Sequence, residues 1–279
     1  MKKTIALLLA FFCLVVSVSA VKNDTKSVPV LMYHSVSDGQ NDVTISPENF
    51  NKHMTAIRDN GFTPVSIFDL IDFVDNGKEL PEKPVCITFD DGYSDNFSNA
   101  FPVLEAFGFK STIFIIGSSV GKDTYKDTGF GINAHFGFDE AREMFLSGLV
   151  SIQSHSFDMH QWEGGENSLL VRNNVLPFET EGIFDYAMAF QNDFQKSKTE
   201  IEENVGDSVV AFAYPTGRYN ALTEFILKQN GVRVTVATSE GPNFIKKGDK
   251  ESLYKLNRYN VGNQIDEEYL LKWLNEGSL

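Results

Sequence analysis

A helix-compatible stretch, a residue pair ending in glycine and a short apolar run recur four times along this chain. Asn60-Gly61 precedes Phe62-Thr63-Pro64-Val65, Phe107-Gly108 precedes 110–116, Ser147-Gly148 precedes 149–153, and Asn230-Gly231 precedes 232–237. Glycine just past a helix accepts the left-handed conformation that satisfies the last helical carbonyls, so each pair marks a helix end. The segments before the pairs agree. Ser46-Pro47-Glu48 supplies a cap, a first-turn proline and a first-turn acid, followed by Phe50, Met54 and Ile57 at helical spacing. Residues 139–146 and 220–229 read the same way, and 180–205 reads as a longer helical region, open to a break. The strand-like runs are 28–33, 85–89, 112–116, 150–153, 209–213 and 232–237. Several are apolar on consecutive residues, as strands buried on both faces require. Alternating β and α with buried strands makes this an α/β chain with a parallel sheet, either open or closed into a barrel.

At 279 residues and 42% hydrophobic, the chain is long enough to bury a large core without further support. Residues 1–20 read as a secretory signal peptide: Lys2 and Lys3, an apolar run over 5–16, then Val18-Ser19-Ala20 as a small-residue cleavage site. That run is short for a bilayer span. No linker or low-complexity tract divides the remainder, so 21–279 is read as one domain. Once the leader is removed Cys86 is the remaining cysteine; it lies in an apolar run and reads as a small buried side chain. The formal charge of -14 disfavours nucleic acid and anionic membranes as partners.

The residues directly after each strand are more informative. The run 28–33 leads into His34, 85–89 into Asp90-Asp91-Gly92, 150–153 into His155 and then His160, and 209–213 into Tyr214-Pro215. In parallel α/β folds the carboxyl ends of the strands share one face, and sites are built there. Two imidazoles and one carboxylate make a metal-binding set that leaves positions open for water and substrate. His155 and His160 are five apart, so a turn rather than a helix must bring them together. Of two adjacent carboxylates, one can hold the ion while the other takes a proton from the attacking water. Plainer readings stand beside these. His34 also fits a satisfied core histidine, Tyr214 and Pro215 a strand terminus, and Asp158 a turn former. His53, on the helix after Ser46, reads as a surface residue. The polar loops 121–137 and 161–174 are long enough to shape a site, and His135 sits in the first.

The motifs carry a family resemblance. Thr88-Phe89-Asp90-Asp91-Gly92, with His155-Ser156-Phe157-Asp158-Met159-His160, resembles the first two motifs of the NodB-homology polysaccharide deacetylases. Phe212-Ala213-Tyr214-Pro215-Thr216-Gly217 resembles their third. Leu31-Met32-Tyr33-His34 resembles the opening of the branch that acts on poly-β-1,6-N-acetylglucosamine. The similarity spans roughly residues 34–261.

The resemblance implies a distorted (β/α) barrel with fewer than eight parallel strands and metal-dependent hydrolysis of N-acetyl groups on a polysaccharide. It implies Asp90 as general base and Asp91, His155 and His160 as ligands of a divalent metal; Zn²⁺ suits them, and Fe²⁺, Co²⁺ or Ni²⁺ is also compatible. Tyr214 and Pro215 would form the substrate and oxyanion wall, with the Tyr214 N–H on the oxyanion. Two departures stand out. Many members carry an arginine shortly before the third-motif residues, which orients the catalytic Asp; residues 211–213 offer none, leaving Arg258 or another arginine to substitute. Many members also supply a catalytic acid His from a late motif, yet none of the five His lies beyond His160. In the biofilm-polymer branch the acid comes instead from the early Tyr-His, here His34.

Trp162 is placed to stack on a sugar near the His turn. The expected partner is an N-acetylated polysaccharide met outside the cytoplasm, in the periplasm or at the cell surface. The acidic surface would tolerate a neutral polymer that gains positive charge as amines are uncovered. Poly-β-1,6-N-acetylglucosamine, chitin oligomers and peptidoglycan are the candidates, in that order. A small-molecule amidase or deformylase on the same scaffold, and an inactive carbohydrate-binding module, are the alternatives.

Overall fold

The computed structural model describes residues 24–39, 41–126, 128–161 and 171–277, so the expected signal peptide and Trp162 lie outside the described residues. Seven parallel strands run side by side: β1 (Val30–Tyr33), β2 (Pro84–Asp91), β3 (Ser111–Ile115), β4 (Val150–Ser154), β5 (Ala211–Ala213), β6 (Val234–Val236) and β7 (Tyr259–Asn260). Their order is β6-β5-β4-β3-β2-β1-β7, and a short strand, Thr63–Pro64, pairs with the start of β2. The sheet curls into a half-barrel, a distorted (β/α) barrel short of the regular eight strands. A parallel bridge between Val236 and Leu256 draws the segment before β7 towards the opposite edge strand.

All six expected strand runs are present, with ends that differ from the expected ones by a residue or two. The seventh, β7, is two residues long and carries no apolar run that would announce it. Side chains alternate across β2. Ile87 and Phe89 face a core shared with helices α1 (Pro47–Asp59), α3 (Phe101–Phe107), α4 (Phe138–Leu146) and α5 (Ile183–Asn204). Cys86 lies on the opposite face, in a second core with Val30, Phe114, Ala211, Val234 and helix α2 (Ile67–Asn76). Burial on both faces is why the strands are apolar at consecutive positions. Thr88 and Asp90 come after Cys86 on that second face, which places a carboxylate inside the curl of the sheet.

The helix signals act as expected. Ser46 Oγ accepts from the Asn49 N–H at 3.2 Å to cap α1, and Gly108 ends α3 at a φ of 64°. Two expectations change. The region 180–205 holds one unbroken 22-residue helix, α5, because Tyr186, Phe190, Phe194, Ser197 and Ile201 form a continuous buried stripe. His53 is fully buried rather than on the surface. It stands three residues after Phe50 and four before Ile57, on the inner face of α1. Its Nε2 lies 2.9 Å from the Ile265 carbonyl and its Nδ1 3.2 Å from the Tyr33 hydroxyl. Nε2–H therefore donates to the carbonyl, and Nδ1 accepts from Tyr33.

Burial holds the His53 imidazole below its ordinary pKa. The native state resists a proton that the unfolded chain takes up near pH ~6.5, so the stability tied to neutral His53 is present above that pH and is lost as the pH falls below it. Urea midpoints measured between pH 7.5 and 5 should fall on the acid side. His53→Gln, which keeps a hydrogen-bonding amide but cannot titrate, should start lower and fall less steeply; an equal slope in both proteins would remove His53 from the account.

Candidate active site

The site forms where β1, β2 and β4 end. β2 delivers Asp90 and Asp91 in succession, and Asp91 takes a φ of 73°, outside the extended region. Asp tolerates the left-handed region better than most residues, which suits it to this bend. Gly92 comes next at a φ of 84°, and a Cβ there would lie 2.9 Å from Ile115 Cγ2, so glycine is required by conformation and by space. The chain thus turns sharply after the strand, and the two carboxylates part.

Asp90 points into the sheet and meets Arg258. The guanidinium forms two parallel hydrogen bonds, Nη1–H to Oδ1 at 2.7 Å and Nη2–H to Oδ2 at 2.6 Å, and its Nε–H donates to the Ala237 carbonyl at 2.7 Å. Arg258 is fully buried and Asp90 nearly so. Burial disfavours the Asp90 charge, but Arg258 outweighs it and holds the carboxyl well below the usual carboxylate range. Of the arginines the sequence left open, Arg258 is the one that reaches Asp90. It arrives from just before β7, across the gap between the edge strands.

Asp91 turns the other way, toward two imidazoles. Its Oδ1 is 3.6 Å from His155 Nε2 and 3.7 Å from His160 Nε2. One donor atom from each of these three residues lies within 4.8 Å of the others. The His155 ring is fixed by Nδ1–H donating to the Ala213 carbonyl at 2.9 Å, which leaves the Nε2 lone pair facing the site. Burial pushes His155 down to about 4, although the neighbouring Asp90 charge works against this, so the imidazole is neutral at physiological pH. Burial opposes the Asp91 charge too, yet His160, His34 and His155 together hold it below its ordinary value. Among the described residues, Asp91 Oδ1 is buried with no hydrogen-bond partner. An orphaned carboxylate oxygen facing two imidazole nitrogens fits a divalent cation, which a donor set of this kind holds in its deprotonated form.

His34 stands at the end of β1, half-buried, close enough for its charge to act on both Asp90 and Asp91. Its backbone is held by a segment the sequence did not single out. Asn96 Nδ2–H donates to the His34 carbonyl at 2.6 Å, Asp95 accepts from the Val36 N–H at 3.0 Å and the Ser35 hydroxyl at 2.6 Å, and Asn99 donates to the Val36 carbonyl at 2.7 Å. Residues Asn96–Ala100 form a π-helical turn, a rare conformation that often marks functional regions. Only the accumulation of short amides after the Asp-Asp-Gly turn hinted at it.

The third-motif turn corrects an expectation. The Tyr214 N–H is spent in the sheet, donating to the Val236 carbonyl at 3.1 Å. The Tyr214 ring is buried, and its hydroxyl donates to Glu224. Pro215 is buried and has no N–H to offer. Neither residue lines the cleft; Thr216 does, at a φ of 56°. The Thr216 N–H makes no hydrogen bond to a described residue. The turn is in the expected place, but the group it presents is one residue further on. Asp158 keeps to its structural reading, accepting from Ser118 Oγ at 3.3 Å and from Gln161 at 3.2 Å.

Asp91, His160 and Thr216 open onto a cleft of about 810 Å³ whose far wall includes Tyr93, Tyr125 and His135. The 121–137 loop therefore does shape the site, and His135 packs on Tyr93 with ring centroids 5.0 Å apart.

Residues 77–235 match the family model described as polysaccharide deacetylase, more than half of the chain. The chain belongs to the polysaccharide deacetylase family. Its relatives include YxkH of Bacillus subtilis (strain 168), assigned to the polysaccharide deacetylases, at 32% identity over 84% of this chain and 71% of that one. The poly-beta-1,6-N-acetyl-D-glucosamine N-deacetylase of Escherichia coli (strain K12) is 27% identical over 72% of this chain. This chain spans about a third of that enzyme, 32% of its length. A solved de-N-acetylase from Aggregatibacter actinomycetemcomitans superimposes with a TM-score of 0.75 at 26% identity, covering 89% of this chain and 100% of that one. IcaB from Ammonifex degensii gives 0.72 at 24% identity over 89% and 97%, which speaks for the fold alone. This deacetylase-family chain is a hydrolase by membership, and among its described residues no helix is long and apolar enough to cross a membrane.

The Arg258–Asp90 pair yields a stability test. Removing one partner of a buried pair leaves an uncompensated charge, at about 3–5 kcal/mol. Arg258→Met should lose stability on that scale in denaturant titrations, and Asp90→Asn in the same chain should recover part of the loss. Additive losses in the double variant would show that the two side chains are not coupled.

Proposed function

We propose that this chain hydrolyses N-acetyl groups on an N-acetylglucosamine polysaccharide, releasing acetate, with a divalent cation held by Asp91, His155 and His160. One observation carries the reading: an unpartnered, buried Asp91 oxygen faces two imidazole nitrogens, with a second, arginine-held carboxylate beside them. Zn²⁺ is the proposed ion, with Fe²⁺, Co²⁺ and Ni²⁺ compatible with the same donors. When bound, it supplies a Lewis acid for the acetyl carbonyl and the attacking water.

The chain's own residues supply the proton transfers. Asp90, kept ionised by Arg258, accepts a proton from water as the water oxygen bonds to the acetyl carbon. The Thr216 N–H is placed to donate to the oxygen that gains negative charge. As the carbon–nitrogen bond breaks, protonated His34 donates to the departing sugar amine, which otherwise leaves poorly. The products are acetate and a free amine on the sugar. Tyr93 and Tyr125 on the cleft wall offer apolar faces to a sugar ring, and the open cleft favours a polymer over a small amide. A polymeric substrate also agrees with the proposed export through the signal peptide at residues 1–20.

Acetate release should be measured with zinc-loaded protein on poly-β-1,6-N-acetylglucosamine, chitin oligomers and peptidoglycan, with the first preferred. Asp90→Asn should cut kcat by about 10²–10⁴-fold, the usual worth of a general base, and His34→Gln should lower it on the same scale. Undiminished turnover in Asp90→Asn would end its assignment as base. Absence of acetate from all three polymers would end the proposal.

A further inference from the structure

We propose that Asp193, in the middle of α5, is the positioning residue that sets the separation of His155 and His160. The inference rests on reading those two imidazoles as metal ligands. Five residues apart, they cannot share a helical face, and the chain between them is an irregular turn whose Ser156 takes a φ of 74°. An irregular turn has no ladder of its own to hold it, so its shape depends on what its backbone groups find nearby.

The Asp193 carboxylate spans two consecutive backbone donors. Phe157 N–H donates to Oδ1 at 2.8 Å and Asp158 N–H donates to Oδ2 at 2.7 Å. Hydrogen bonds to an ionised acceptor are roughly twice as strong as neutral ones. The opposite side of the turn is held from the segment after β3, where Gly117 N–H donates to the Ser156 carbonyl at 3.1 Å and Ser118 N–H to the Phe157 carbonyl at 2.8 Å. The approach is so close that a Cβ on Gly117 would lie 2.6 Å from Phe157 Cδ2. The turn is thus clamped between a carboxylate and a glycine. Lys196, three residues along α5, places its Nζ 3.7 Å from the centre of the Phe157 ring and seats that side chain as well.

Keeping a carboxylate here is costly. Burial pushes the Asp193 carboxyl up to about 6, even though both N–H bonds pull it down. A neutral side chain at this position of α5 would be buried with less penalty, and the carboxylate instead serves the two donors it orients.

The test compares zinc affinity with stability. Apoprotein is prepared for the wild type, Asp193→Asn, Gly117→Ala and Asp207→Asn, and zinc binding is read by competition with a chromophoric chelator alongside urea unfolding. In Asp193→Asn an amide can accept one N–H but turns a donor toward the other. Zinc affinity should fall about 10–100-fold, as loss of an orienting partner typically does. Gly117→Ala displaces the same turn from its other side and should weaken zinc comparably, which keeps the test alive if Asp193→Asn fails to fold. Asp207 is the control: it braces the far end of β4 through Ser151 Oγ and the Ile152 N–H, each at 2.8 Å, so its variant should lose stability but keep zinc affinity. Wild-type affinity in both Asp193→Asn and Gly117→Ala would overturn the proposal, as would a loss in Asp207→Asn matching theirs. Failure of the wild type itself to bind zinc would overturn instead the reading of the ligands.

Discussion

The bidentate pair between Arg258 and Asp90 joins the two edges of the sheet to an inner strand. Arg258 precedes the edge strand β7, bonds the carbonyl of Ala237 just past the opposite edge strand β6, and closes on a carboxylate of the inner strand β2. Buried pairs of this kind are weak sources of stability, because desolvating both charges offsets much of their attraction. What this pair supplies is geometry. It fixes one Asp90 rotamer, keeps that carboxylate ionised inside an apolar fold, and ties the seam of an incomplete barrel to the strand that carries the site.

Two adjacent carboxylates can play different parts only if their surroundings differ, and here the backbone separates them. Asp90 is still within the alternation of β2 and faces inward beside Arg258. Asp91 falls at the left-handed bend, with no hydrogen bond to that guanidinium and with an oxygen that no described residue satisfies. An unsatisfied buried carboxylate oxygen and a left-handed non-glycine residue both raise the energy of the free protein. In the proposed reaction a cation relieves the first, and the geometry it needs is what the second provides.

Much of this is legible in the sequence because it is written in local signals. Glycine helix ends, apolar runs and the residues directly after them place six strands, and put His34, Asp90, Asp91, His155 and His160 at strand ends that the structure brings to one region. The less legible parts depend on distant chain. That Arg258 and no other arginine reaches Asp90 is a consequence of β7 lying beside β1, and a two-residue strand leaves no periodic trace. His53 is misread as a surface residue when its polar identity is weighed above a spacing of three and four from Phe50 and Ile57. The Tyr214 N–H is misassigned because a motif names a residue without showing which donors the sheet has already used.

The proposed oxyanion donor lies one residue beyond Pro215, two beyond Tyr214, for a reason that lies in the ladder itself. A strand that pairs with a neighbour commits its N–H groups until the chain leaves the sheet. Tyr214 is the last residue of this turn to pair, with Val236, and Pro215 carries no N–H. The first donor free of the sheet is therefore that of Thr216, whose positive φ turns the chain that follows away from the strand direction. In this turn, the end of strand pairing followed by a proline leaves a backbone donor at the carboxyl end of β5, beside the cleft, where the proposed chemistry needs one.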